Sequence, residues 1–240
     1  MRSSATIGAL AAVTVAIGLA VTGCGSTGDS AETAESSSAS SSSATSAGET
    51  TSSTSAAATS AAAPTDAQTV GDYLTANGVT QTIVKANEPG VPKVDLPMPD
   101  GWESIPDADL PQDAYGAIFL SAAKGTPNPP AIIARMARLD GDNFEVAKIL
   151  ELSPNAVIKL PGWEGPTAGT PSELGGSEAM AIAGNATVEG APGFVARKTV
   201  VIDGQENTFV LALDAQGPAD QQQALLDAMA AIDEGTTITP

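Results

Sequence analysis

The sequence of 240 residues contains no histidine and a single cysteine, Cys24. Without histidine, the protein lacks the commonest general base near neutral pH and the commonest metal ligand. A single thiol excludes an intrachain disulfide, a zinc cluster built on thiolates and a CxxC redox centre. No Gly-x-Ser-x-Gly motif is present, so a serine triad would have to use lysine. These absences predict a protein that is not an enzyme and has no metal or cofactor.

Positive charge is also scarce. The chain has 10 Lys and Arg residues against 28 Asp and Glu, and its net charge is −18. From Thr65 onward there are 9 cations against 24 carboxylates, a net charge of −15. Such a surface repels DNA, RNA and anionic headgroups, so we predict no nucleic-acid partner and no polybasic membrane contact. Solubility accounts for the acidity itself.

The first 23 residues have the pattern of a bacterial lipoprotein signal peptide. Arg2 gives a positive start, and the apolar run 7–21 is too short for a comfortable permanent span. The run leads directly into Val21-Thr22-Gly23-Cys24, which resembles a lipobox. We predict lipidation of Cys24 and a lipid anchor on the extracytoplasmic face of the plasma membrane. A buried thiol is the weaker alternative, because polar sequence follows Cys24 at once.

Residues 24–64 contain the lipidated cysteine and a tract of Ser, Thr, Ala and Gly with four acidic residues. The tract has no aromatic and no long aliphatic side chain, so its burial cannot offset the entropy of ordering. We predict a disordered tether here, either a plain spacer or one carrying O-linked sugars. The remaining residues, 65–240, are predicted to form a single globular domain.

Periodicity within 65–240 predicts an α+β fold in which helices cover a mainly antiparallel sheet. A helix over 69–76 ends at Asn77-Gly78, and Asp142 with Glu145 is spaced as a capping box for a helix ending near Leu152. Asp203-Gly204 signals a hairpin. The predicted strands are 79–86, 114–122, 131–139, 178–188, 193–202 and 207–213, and 218–232 is predicted as a closing helix.

Several segments together resemble the LpqN/LpqT family of mycobacterial lipoproteins. They are VGDYL at 70–74, VDLPMPDGW at 94–102, AYGAI at 114–118, KILEL at 148–152, LPG at 160–162 and KTVVI at 198–202. The resemblance implies a Mog1/PsbP-like α/β/α sandwich around an antiparallel sheet, an actinobacterial host, and a non-enzymatic role in envelope biogenesis through partners. It brings no defined set of binding residues. Ser153-Pro154 departs from the pattern and is expected to interrupt the central helix.

Residue chemistry suggests few candidate sites. Trp102 and Trp163 each follow a glycine in a loop and could stack on a sugar or line a lipid groove, although loop tryptophans more often close a core. Asp107 and Asp109 are the best carboxylate pair for hydrolysis, but an exposed charged loop is the simpler interpretation. Asp140-x-Asp142 begins like a calcium loop, yet the following ligand positions fail.

Three functional hypotheses follow. The first is a non-enzymatic binding or adaptor module that holds an envelope lipid, a glycolipid or an envelope-assembly protein near the membrane. The second is a surface antigen or protein-interaction domain without a small ligand, for which a large exposed apolar patch would be expected. The third is a carboxylate-dependent envelope hydrolase, which requires two carboxylates with shifted pKa values in a cleft.

Overall fold

The computed structural model describes residues 67–240, so the predicted signal peptide, Cys24 and the tether lie outside the described residues. The helices are α1 (Val70–Ala76), α2 (Val146–Leu152), α3 (Asn155–Ile158) and α4 (Gln222–Gly235). The strands are β1 (Thr80–Val84), β2 (Lys93–Asp95), β3 (Trp102–Ser104), β4 (Gly116–Leu120), β5 (Ala131–Asp140), β6 (Thr170–Leu174), β7 (Ser177–Val188), β8 (Ala191–Asp203), β9 (Thr208–Pro218) and β10 (Thr237–Thr239).

The main sheet has the order β3-β4-β5-β9-β8-β7-β6, with antiparallel pairing between all neighbours. β5 has two partners along its other edge. Residues 131–134 pair with β4, and residues 136–140 pair with β1. β2 and β10 form a separate two-stranded sheet. Three of the four long strands, β5, β9 and β8, therefore form the middle of the sheet.

The two faces of the sheet bury different cores, because successive side chains of a strand point to opposite sides. α4 lies on one face, here called the α4 face, and buries Leu225, Met229 and Ile232 at the spacing i, i+4, i+7. α1, α2 and α3 pack on the other side, here called the opposite face, in two smaller apolar clusters. Helices thus cover both faces, and the predicted α+β sandwich is confirmed.

Local signals position the first helix. The Thr69 hydroxyl accepts from the backbone N–H of Asp72, and the Asp72 carboxylate accepts from the backbone N–H of Thr69. This reciprocal capping box satisfies two N-terminal donors of α1. The helix ends at Asn77, and Gly78 follows with φ +73°, where glycine avoids a steric penalty. The predicted stop at Asn77-Gly78 is confirmed.

The predicted capping box of Asp142 and Glu145 is wrong. α2 begins after Glu145, whose backbone N–H donates to the Tyr73 hydroxyl at 2.9 Å, and no side chain caps the helix. Asp140 is the last residue of β5. Its carboxylate accepts hydrogen bonds from Arg138 Nε at 2.7 Å and from Thr82 Oγ1 at 2.5 Å. The strand continues further than expected because β1 pairs with it up to Asp140.

The break in the central helix is confirmed. α2 ends at Leu152 and α3 begins at Asn155, with Ser153 and Pro154 between them. Proline lacks the N–H that a continuous helix would need at this position. The Ser153 hydroxyl donates to the Leu150 carbonyl at 2.9 Å, which satisfies one of the last carbonyls of α2.

The predicted strands are found with shifted ends, and the differences at β8 and β9 change the connections. The β8–β9 hairpin has a four-residue loop, 204–207, closed by the Gly204 N–H on the Asn207 carbonyl. β9 continues to Pro218, opposite Gly193, so the last helix begins at Gln222 and not at residue 218. Pairing with β8 thus extends β9 to Pro218, and Ala219–Gln221 form a 3-10 turn that leads into α4.

Candidate functional site

Two of the cavities in the described residues lie on the opposite face of the central strands and are separated by buried charges. Along β9, Val210 and Ala212 line one cavity, Asp214 is charged and buried, and Gln216 lines the other cavity. These residues are two apart and so share one face of the sheet. β5 and β8 show the same order along their length: first residues that line one cavity, then a buried charge, then residues that line the other cavity.

The first of these two, here called the proline cavity, has a volume of about 330 Å³. It lies over the ends of β5, β8 and β9, beneath the loops 105–112 and 127–129. Its walls are mainly apolar and are formed by Ile105, Leu110, Pro111, Pro127, Pro129, Ala131, Ile133, Val188, Ala191, Pro192, Gly193, Gly217 and Pro218. Its polar groups come from Asp109, Gln112, Asn128, Glu189 and Gln216. An apolar cavity with a few polar groups is typical of small-molecule sites.

One strained residue lies at the rim of the proline cavity. Glu189 and Gly190 join β7 to β8 as a two-residue turn, because Val188 pairs with Ala191. Their φ values are +51° and +82°, as a type I′ turn requires. Glycine adopts this conformation freely, whereas glutamate is disfavoured there by about 1–2 kcal/mol. Non-glycine residues with positive φ occur preferentially at functional sites.

Four charged residues, here called the ion cluster, separate the cavities. Arg135 donates from Nε to Asp113 at 2.7 Å and from Nη1 to Asp214 at 2.8 Å. Arg197 donates from Nε to the second oxygen of Asp214 at 2.5 Å. The exposed fractions are 2% for Arg135, 6% for Arg197 and 7% for Asp214. Removing one partner from such a buried pair is strongly destabilising, because the remaining charge is left uncompensated.

The ion cluster also holds the loop over the proline cavity. Asp113 follows Gln112 of that loop, and its ion pair with Arg135 joins the loop to β5. Ile105, Ala114, Ala117 and Ile133 form a small apolar cluster beside this contact. The loop is therefore fixed by this half-buried ion pair, by the apolar cluster and by the Lys85 ammonium group, which donates to the carbonyls of Gln112 and Ala114.

The smaller cavity, here called the arginine cavity, has a volume of about 190 Å³. It lies where α1 and α3 meet the opposite face of the sheet. Its lining residues are Thr69, Val70, Gly71, Gln81, Ala137, Ser153, Ala156, Lys159, Arg197, Thr199, Val210 and Ala212. Small residues on β5 and β9 leave this space unfilled, and two of the polar side chains are cations.

Neither tryptophan lines these cavities. Trp102 begins β3, is 7% exposed and belongs to the main apolar core on the α4 face. Trp163 is half-buried beside the apolar cluster of α3, and its indole Nε1 donates to the Pro166 carbonyl at 3.1 Å. Cys24 lies outside the described residues. The sequence thus selected one core residue and one loop residue as ligand-binding candidates.

The acidic candidates are also separated from one another. Asp107 and Asp109 are exposed on a 3-10 turn, and only Asp109 lines the proline cavity. Asp140 takes part in the surface contacts of β5, and Asp142 is exposed. Among residues 67–240 there is no group of three or more carboxylates, cysteines or histidines arranged to hold a metal ion.

Among residues 67–240, three carboxyl groups have shifted pKa values, each with a local cause. Hydrogen bonds from Thr69 lower the pKa of Asp72, and the hydrogen bond from Lys124 lowers that of Glu103. The contact with Arg138, followed by that with Thr82, lowers the pKa of Asp140. None of these three carboxylates lines either cavity. A lowered pKa favours the ionised form, as in a structural ion pair, and opposes the role of general acid.

The buried charges were not predicted from the sequence. Arg135, Arg197 and Asp214 lie within or next to the runs 131–139, 193–202 and 207–213, which the sequence identified as apolar strands. A cation at the centre of an apolar strand is a detectable signal, because an unpaired buried charge is rarely tolerated. Predicting which of these charges form pairs requires the strand order, since Arg135 and Asp214 are 79 residues apart in the sequence.

The fold and its cavities define an antiparallel α+β sandwich domain that encloses space on one face of the sheet. In the described part of the chain, no helix is long and apolar enough to cross a membrane. The family model described as probable lipoprotein LpqN matches residues 66–239. The chain therefore belongs to the LpqN lipoprotein family, and the resemblance noted in the sequence is confirmed.

A sequence match and a structural match to LpqN agree with this assignment. Lipoprotein LpqN of Mycobacterium tuberculosis (strain ATCC 25618 / H37Rv) is 38% identical over 172 residues, which cover 72% of this chain and 74% of the relative. A crystal structure of LpqN, described as involved in cell envelope biogenesis of Mycobacterium tuberculosis, has 38% sequence identity and a TM-score of 0.68. It covers 73% of this chain and 99% of its own. The crystallised chain of LpqN thus corresponds in extent to the folded segment of this chain.

Proposed function

We propose that this chain is a lipoprotein anchored through Cys24 on the extracytoplasmic face of the plasma membrane. In this proposal, residues 1–23 are a signal peptide, 24–64 a tether and 65–240 one binding domain. The lipobox and the family support the anchor. Two or more acyl chains on Cys24 give stable anchoring, since burial of each methylene contributes roughly 0.8 kcal/mol.

The folded segment acts in this proposal as a non-enzymatic module that binds an envelope lipid or glycolipid. The observation that carries it is the proline cavity, whose 330 Å³ and apolar walls suit part of an acyl chain. Its polar groups, such as Gln112, Asn128 and Gln216, offer amide donors and acceptors for a hydroxylated headgroup. The role in cell envelope biogenesis described for LpqN points to ligands of the same compartment.

Hydrolysis receives less support. It requires two carboxylates in a cleft, one of them with a raised pKa. The three carboxyl groups with shifted pKa values all have lowered values, and the proposed pair of Asp107 and Asp109 is exposed. The protein-interaction alternative is also less supported, because the exposed large apolar side chains Ile83, Met98 and Leu226 are on separate elements.

Native mass spectrometry of segment 65–240 with a total envelope lipid extract from an actinobacterium tests the binding proposal. We expect one stoichiometric adduct of defined mass. Ala191→Trp should abolish it, because Ala191 is exposed at the cavity and a large ring would fill the space. Ala230→Trp, on the exposed side of α4, is the matched control and should retain the adduct.

Other outcomes are informative. A folded, monodisperse segment without any adduct would refute the lipid-binding proposal and direct the search to protein partners by crosslinking in cells. An adduct that survives Ala191→Trp and is lost in Trp163→Ala would place the ligand at Trp163. The anchor is tested separately by metabolic labelling with an alkyne fatty acid, and Cys24→Ser should lose the label.

A further inference from the structure

The charged residues that line the arginine cavity are all cations, inside a strongly acidic segment, although one of them, Arg197, is paired with Asp214. Arg197 and Lys159 line it, and no Asp or Glu residue does. Segment 65–240 has only 9 cations against 24 carboxylates, so two cations without a lining carboxylate are an unusual local arrangement. The charge of this cavity is therefore opposite to that of the surface around it.

Arg197 is fixed in place but incompletely paired. Its Nε donates to Asp214 at 2.5 Å, which orients the guanidinium group. Its Nη2 is buried and has no hydrogen-bond partner. A buried donor on a charged group is costly to leave unpaired, so the structure lacks an acceptor at this point. Asp214 does not supply it in this structure, since its two oxygens accept from Arg197 Nε and from Arg135 Nη1.

Two further donors lie around the same cavity. Thr199 is buried on β8, and it lines the cavity. Lys159 is exposed at the end of α3 and makes no ion pair with any described residue. Asp72 is near enough to Lys159 for a weak electrostatic effect, but Thr69 holds its carboxylate through two hydrogen bonds.

We propose that the arginine cavity binds a small oxyanion, a carboxylate or a phosphate group, between Arg197, Thr199 and Lys159. Arg197 and Thr199 donate hydrogen bonds to its oxygens, and the Lys159 ammonium group adds charge at the mouth. The volume of 190 Å³ equals about six water molecules at ~30 Å³ each, which is enough for one such group with a few carbon atoms. The site is separate from the proline cavity and does not depend on its ligand.

Calorimetric titration of segment 65–240 with inorganic phosphate and with acetate tests the proposal. We expect saturable binding of at least one of them with one site per chain. Arg197 Nε–H should shift in the NMR spectrum on binding. Binding should weaken as salt rises, because it depends on charge.

Three variants avoid the buried ion pairs. Thr199→Val removes one donor without changing the side-chain shape, and Lys159→Gln removes the charge at the mouth; each should weaken binding about fivefold or more. Ala156→Glu places a carboxylate at the cavity and should weaken binding at least tenfold more than Ala156→Gln, since the two side chains have equal size. Lys148→Gln on the neighbouring helix is the charge-matched control and should leave affinity unchanged.

Several results would overturn the proposal. They are the absence of saturable binding by either anion, affinity unchanged by Thr199→Val and Ala156→Glu, or an equal loss in Lys148→Gln. The source of the oxyanion is distinguished by vesicles. Binding to phosphatidylglycerol but not phosphatidylcholine vesicles, with competition from phosphate, would identify a lipid headgroup. Binding of free phosphate or acetate without vesicle binding would identify a soluble anion.

Discussion

Replacing Asp214 by asparagine tests whether the ion cluster holds the opposite face together. The side chain is buried and accepts from two arginines, at 2.8 Å from Arg135 and 2.5 Å from Arg197. Arg135 retains its contact with Asp113, whereas Arg197 has no other ion pair in the described chain. The substitution thus leaves one guanidinium group buried without a counter-charge.

The expected cost follows from that uncompensated charge. Removing one partner of a buried pair typically costs about 3–5 kcal/mol, against a total stability of about 5–15 kcal/mol. With a urea m value of about 2 kcal/mol/M, the unfolding midpoint of Asp214→Asn should fall by about 2 M. Equilibrium urea unfolding of segment 65–240, followed by circular dichroism, measures this shift directly.

Two comparisons make the result interpretable. Glu151→Gln breaks an exposed ion pair with Lys148 and should change stability by about 0.5 kcal/mol or less. The triple replacement Arg135→Met, Asp214→Leu, Arg197→Met removes the charges together and should be within about 1 kcal/mol of the parent or more stable. If Asp214→Asn proves as mild as Glu151→Gln, the cluster is not energetically coupled and the argument is refuted.

Three further predictions concern local structure. Gly101→Ala should cost about 1–2 kcal/mol, because φ there is +80°, whereas Gly116→Ala, with equally open space, should be nearly neutral; thermal unfolding compares the two. Thr69→Ala should cost about 1 kcal/mol by removing the cap of α1, measured in urea. Asp140 has a pKa lowered mainly by Arg138, so its contribution to stability is present near neutral pH and lost as pH falls below about 4. Acid titration of Asp140→Asn should lack that part of the loss, and an unchanged acid transition would contradict the assignment.

Features that depend on neighbouring residues were predictable from the sequence. The residues that cap and end α1 lie within one or two turns of the helix. The break at Ser153-Pro154 follows from the chemistry of proline alone. The Asp142 prediction failed even though its spacing is correct, because the distant Tyr73 hydroxyl takes the same role at the start of α2.

The functional geometry depends on strand order and so could not be read from local pattern. The proline cavity combines loops from positions 105–112 and 127–129 with strand residues between 188 and 218. β6 was missed because TPSEL contains a proline and little apolar alternation, although Gly175-Gly176 signals the hairpin that follows. Trp102 and Trp163 were chosen for their chemistry, but only pairing determines which of them is buried.

The position of β9 has a consequence for folding kinetics. It joins β5 to β8, yet it is the last strand of the main sheet to be made. Before β9 is made, the strands of the main sheet can pair only as two separate half-sheets, whose edges at β5 and β8 are unpaired. Such unpaired edges favour aggregation. Strands that are far apart in the sequence pair slowly, on a time scale of roughly milliseconds to seconds. A chain truncated before Thr208 should therefore fail to fold into a smaller stable unit and aggregate instead.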